Sequence, residues 1–82
     1  MDRPLPLKRL RKILRAFGVE EDPKRGKGSH TYFFKEFADG EQGYPVPTDR
    51  NPVLVCYVQG CRKAFRLRPE NGVSDKQFYG AG

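Results

Sequence analysis

Eighty-two residues allow one domain with one modest core, because a chain this short buries only about 60% of the surface it exposes when unfolded, which excludes a large enclosed catalytic cavity. The chain is 37% hydrophobic and 12% aromatic, enough to build a packed interior and exclude wholesale disorder despite 32% charged residues. The net charge of +6 is uneven, with nine Lys and Arg against four acids in residues 1–30 and seven against six thereafter, so a polyanion is expected, nucleic acid ahead of anionic membrane or acidic protein.

Leu7, Leu10, Leu14 and Phe17 form one stripe of a helix over about residues 6–17, with Lys8, Arg9, Arg11, Lys12 and Arg15 around the rest. Pro4 and Pro6 suit its start and Gly18 its C-terminal cap. So short a helix with an ordinary apolar stripe favours packing on a sheet over lying on a membrane surface. Val19 to Lys27 reads as a short strand or an extended loop. Ser29 to Phe37 alternates, with His30, Tyr32 and Phe34 on one face and Thr31, Phe33 and Lys35 on the other, as expected of a central strand.

Asp39-Gly40 predicts a type I′ hairpin, and Gln42 to Pro47 the returning strand, placed at the sheet edge because Pro45 and Pro47 donate no hydrogen bond. Asn51-Pro52 suits a helix start. The spacing of Leu54, Tyr57, Val58, Cys61 and Phe65 predicts a second helix over 52–67, with Arg62, Lys63, Arg66 and Arg68 as its basic last turns. Ser74-Asp75 suits the cap of a further short turn through Phe78 and Tyr79, whose rings dock back or meet a partner.

No stretch approaches the roughly 20 apolar residues of a membrane span, and the N-terminal segment lacks the apolar run of a signal peptide. No membrane, metal or small-molecule cofactor is expected. Cys56 and Cys61, the only cysteines, lie five apart, roughly 140° around a helix. They are expected to be free thiols in a reducing, cytoplasmic compartment.

Lys24-Arg25-Gly26-Lys27-Gly28-Ser29-His30 places glycines, three cations and the only histidine at the mouth of a strand. Glycine lets backbone approach a phosphate, cations stabilise its developing charge, and histidine exchanges protons near neutrality. Together they suit metal-free RNA cleavage, in which the ribose 2′-hydroxyl attacks the adjacent phosphate. His30 is then the general base, Lys27 and Arg25 hold the phosphate, and water or a lysine protonates the leaving oxygen. Tyr32 and Phe34 are expected in the core, with stacking on unpaired bases as the alternative.

The order helix, short strand, Lys27-Gly28-Ser29-His30, aromatic strand, hairpin, strand ending Tyr44-Pro45-Val46-Pro47, helix resembles the HicA toxin family over most of residues 5–67. The resemblance implies an α+β fold, an α-β-β-β-α arrangement similar to double-stranded-RNA-binding domains, with a three-stranded antiparallel sheet against two helices and residues 68–82 as a C-terminal extension. It implies the toxin of a type II toxin–antitoxin system, a metal-independent endoribonuclease that cleaves mRNA and blocks translation with His30 as catalytic acid/base. Lys24, Arg25, Lys27, Gly28 and Ser29, with Lys8 and Lys12, are the expected RNA contacts.

A HicB-like antitoxin is the implied protein partner, with the edge strand near Tyr44 to Pro47 and the Phe78-Tyr79 pair as its expected docking surfaces. Two positions depart from the family pattern. Thr31 stands where many members have a second histidine, and Thr48 to Asn51 lacks the histidine or lysine often found there. Two alternatives stand beside the enzyme: a non-catalytic RNA-binding module using the same basic surface, and an adaptor for an acidic protein.

Overall fold

In the computed structural model, which describes residues 1–82, the first helix, α1 (Leu7–Ala16), buries Leu10, Ile13 and Leu14 completely. Each such side chain contributes about 1.5–3 kcal/mol. The helix stops as the sequence predicts. Gly18 takes a left-handed φ of 82°, its N–H donates to the Arg15 carbonyl at 2.9 Å, and the Val19 N–H reaches back to the Leu14 carbonyl at 2.9 Å. That pair of bonds is a Schellman motif.

Three strands follow, β1 (Glu20–Asp22), β2 (His30–Phe37) and β3 (Gly40–Pro47), in an antiparallel sheet of order β1-β2-β3. β2 is central, and β3 is an edge. Phe33 and Val46 from the sheet share one core with Leu10, Ile13 and Leu14 of α1 and with Val58, Cys61 and Phe65 of α2 (Val55–Ala64). The helices therefore cover one face of the sheet, and the architecture is α+β in the order helix, strand, strand, strand, helix. Tyr32 and Phe34 lie outside that core, on the uncovered face. The expectation that they are core residues is corrected: the alternation sorted the faces, but only the Thr31 and Phe33 side has helices to pack against.

The hairpin differs from its prediction. Phe37 pairs with Gly40, so the two-residue loop is Ala38-Asp39, and neither residue has positive φ. A type I′ turn is therefore not formed, and Gly40, at φ 124°, opens β3 instead.

The second helix is shorter than the 52–67 expected because both ends of that stretch are used elsewhere. Asn51 does not cap it. Its Oδ1 accepts from the Leu7 N–H at 3.1 Å, satisfying one of the free donors at the start of α1, while Val53 bridges to Leu5. At the other end Arg66 takes a left-handed φ of 58°, and Leu67 N–H reaches back to the Arg62 carbonyl at 2.8 Å. Arg66 holds this uncommon conformation with its guanidinium on Asp39 at 2.7 Å and over the Phe37 ring.

A 3-10 turn (Pro69–Asn71) leads to a third helix, α3 (Asp75–Gly80). Ser74 and Gln77 form a capping box at its start. Phe78 and Tyr79 are buried, so the packed interior runs to the end of the chain rather than closing near residue 67. Their rings dock back, which removes them as a docking surface for a partner. No helix is long and apolar enough to cross a membrane. Cys56 is exposed and Cys61 buried, both as free thiols, and burial pushes the Cys61 thiol up to about 12.

Candidate functional site

His30 is the first residue of β2, exposed, on the uncovered face of the sheet and paired in register with Pro47. Three local features fix its backbone. Just before it, the Ser29 carbonyl accepts both the Thr48 N–H at 2.6 Å and the Thr48 hydroxyl at 2.8 Å. From the β1–β2 loop, Gly26 packs so closely on the His30 carbonyl that a side chain there would collide with it. Gly28, at φ 61°, then turns the chain into the strand.

The Thr48 bonds tie the mouth of β2 to the loop after β3, and the two line a cleft of about 380 Å³. Its walls combine His30, Asp49, Arg50 and Tyr57 with apolar Val53 and Leu54. Leu54 is 40% exposed, one of two large hydrophobic side chains so open to solvent. The volume lies in the range of small-molecule pockets, which pair an apolar lining with a few convergent polar groups. Asn51 and Val53, through their bonds to Leu7 and Leu5, hold this loop against the start of α1. No three His, Cys, Asp or Glu side chains converge as metal ligands.

The expected RNA contacts separate into two groups. Lys24 and Lys27 are exposed on the β1–β2 loop and form no ion pair, and Lys8 and Lys12, four residues apart on α1, are likewise unpaired. Arg25 is engaged. Its guanidinium binds Glu41 at 2.9 Å and lies 4.4 Å from the centroid of Tyr32 and 5.3 Å from that of Phe34. Hydrogen bonding to Glu41 pushes Arg25 above the ordinary arginine range. Neither Arg25 nor Lys27, the two cations expected to hold the phosphate, lines the cleft with His30; Arg50 is the cation the fold brings there.

No known family model, curated protein or solved structure matches the chain. Thr31 and the segment Thr48 to Asn51 take definite places. Thr31 is buried on the inner face, where its hydroxyl donates to Glu21 at 2.6 Å and Glu21 is also gripped by Arg11. A side chain at that position faces the helices and not the cleft. The loop after β3 supplies Asp49 and Arg50 to the cleft. Sequence reasoning missed these two and Tyr57, although the hairpin register, extended outward, carries the signal for the loop.

Proposed function

We propose that this chain is a metal-independent endoribonuclease, the toxin of a toxin–antitoxin pair acting on mRNA in the cytoplasm, with His30 as its catalytic acid/base and a fold of the double-stranded-RNA-binding type. The observation that carries the reading is the placement of the only histidine. It is exposed, backbone-anchored, and on the wall of a nucleotide-sized cleft that Arg50, Tyr57 and an apolar surface also line. Lys24 and Lys27, unpaired on the same loop, supply charge for the RNA backbone.

In this mechanism the ribose 2′-hydroxyl gives its proton to the His30 imidazole, and its oxygen attacks the adjacent phosphorus. The bond from phosphorus to the 5′-oxygen breaks, leaving a 2′,3′-cyclic phosphate. The departing oxygen takes up a proton, for which Tyr57, which lines the cleft, and water are the two proposed sources. Arg50 faces the extra negative charge of the transition state, where a fixed cation lowers the barrier most. The HicB-like antitoxin is proposed to cover the cleft and the exposed Leu54 beside it.

Incubation of the purified protein with mRNA in EDTA, beside His30→Ala protein at equal concentration, tests the reading. Cleavage by the wild-type protein is expected, and the variant should lose about 10²- to 10⁴-fold in rate. RNA bound but left intact by both proteins identifies a non-catalytic RNA-binding module instead. Co-purification with the product of the neighbouring gene, and loss of cleavage in that complex, test the antitoxin.

A further inference from the structure

The uncovered face of β2 carries a second feature beside the cleft. His30, Tyr32 and Phe34 alternate along it, so the three side chains occupy one line about 13 Å long. Tyr32 and Phe34 are half-buried, with ring centroids 6.3 Å apart and planes within 18°. Below the Tyr32 ring is Gly43 of β3, where any side chain would strike the tyrosine hydroxyl. Above both rings lies Arg25, clamped by both oxygens of Glu41.

A helix-free sheet face with two parallel rings and a planar guanidinium across them has the parts that hold unpaired bases. Aromatic rings and arginine planes both stack on bases, and the stacking tolerates any sequence because every base has a π-face. The charges give the face a direction. Lys24 and Lys27 lie on the loop leading to His30, whereas Glu36 pairs with Glu41 near the hairpin. A polyanion is repelled from the hairpin end and attracted to the end that carries the cleft.

We propose that Tyr32 and Phe34 form a base-stacking platform for single-stranded RNA, adjoining the His30 cleft, and that Arg25, latched by Glu41, occupies the position an incoming base takes. The proposal rests on the ribonuclease reading for the identity of the polymer and adds its substrate class, unpaired rather than duplex RNA. A duplex keeps its bases stacked on one another and offers the platform nothing. Glu41 sets the cost of opening, since a base displaces Arg25 only after that ion pair loosens.

The test uses the intact protein and a short single strand of 2′-O-methyl RNA, whose blocked hydroxyl allows binding to be read without cleavage. The same strand carrying abasic sites and the matching duplex serve as comparisons. Tyr32→Ala and Phe34→Ala are each expected to weaken single-strand binding by about 5- to 150-fold and to leave abasic-strand and duplex binding unchanged. Phe34→Leu, which keeps the apolar bulk and protects the fold, should lose affinity for the intact strand as well. Glu41→Gln should tighten it.

Equal wild-type affinity for the intact and abasic strands, or duplex affinity as high as single-strand affinity, overturns the platform. Loss of the stacking signature with His30-dependent cleavage intact refutes this inference alone. Stacking without cleavage refutes only the ribonuclease.

Discussion

Arg62 and the β1–β2 loop carry the same kind of charge in opposite surroundings. Arg62 is 2% exposed and surrounded by acceptors: Asp2 and Asp75 at 2.7 Å each, the Leu67 carbonyl at 2.7 Å and the Val73 carbonyl at 3.3 Å, with Phe78 beneath its guanidinium. Asp75 also receives the N-terminal ammonium, and Tyr79 donates to Asp2. Lys24 and Lys27 are exposed and unpaired. Arg62 thus joins α2, α3 and the N-terminal segment, while the loop leaves its lysines free for a ligand. Net charge alone does not separate these roles; burial and pairing do.

The largest expected effect falls on the first region. Arg62→Met removes the cation from two carboxylates and two carbonyls, and breaking a buried ion pair in this way costs about 3–5 kcal/mol. The lower figure is expected here because Asp75 is 39% exposed and solvent screens part of the interaction. Thermal or urea unfolding measures the loss. RNA affinity per folded molecule should not change, and a substantial fall in it would erase the distinction between the two regions.

Gly26→Ala comes next and strikes the second region. The added methyl meets the His30 carbonyl, and relieving such overpacking costs about 1–3 kcal/mol. Because the collision is with the backbone of His30 itself, cleavage should fall further than stability alone accounts for. Equal activity per folded molecule would show that the close approach of Gly26 does not position the histidine.

Acid offers a graded version of the Arg62 substitution. Burial pushes the Asp2 carboxyl up, but hydrogen bonds from Arg62 and Tyr79 outweigh it and hold it below its ordinary 3.8. The N-terminal ammonium and Arg62 lower Asp75 to about 2. Both groups bind protons more weakly in the folded chain, so their contribution is complete above the ordinary carboxylate range and is lost as pH falls through the folded values. Unfolding midpoints followed by circular dichroism should therefore decline from about pH 4 to about pH 2. The decline should be shallower in Arg62→Met, and identical slopes would mean that Arg62 does not set these two pKa values.

The contrast between the regions also explains what was legible in the sequence. Local patterns carried α1, its Gly18 stop, the faces of β2 and the Ser74 cap, because each depends on neighbours within a turn or two. Partners distant in sequence did not show. Asn51 reads as the cap of the following helix, but its oxygen satisfies α1, 44 residues earlier. Arg62 reads as a surface base of a last turn because its partner Asp2 lies 60 residues away. In the site, His30 and its glycines were legible as a motif, whereas Asp49, Arg50 and Tyr57 join it only through the β2–β3 register and the packing of α2. Setting the hairpin turn at Asp39-Gly40 would have placed Asp49 opposite His30 instead of Pro47, a two-residue slip that leaves every side chain on its proper face.

The smallest effect is the most direct comparison of the two regions. Lys24→Ala and Lys27→Ala remove exposed charges without protein partners, so each should shift stability by no more than about 0.5 kcal/mol. What changes is the response to salt. Taking one cation away from the phosphate backbone should reduce the slope of log affinity against log salt by about 0.7 for a single strand, and the double substitution by about twice that, because fewer counterions are released on binding. Arg62→Met, which deletes one positive charge from the same net total, should leave the slope unaltered. If all three substitutions flatten the slope equally, RNA senses only the overall charge, and the β1–β2 loop has no privileged place beside His30. If only the two lysines act, the polymer passes over this loop, beside His30.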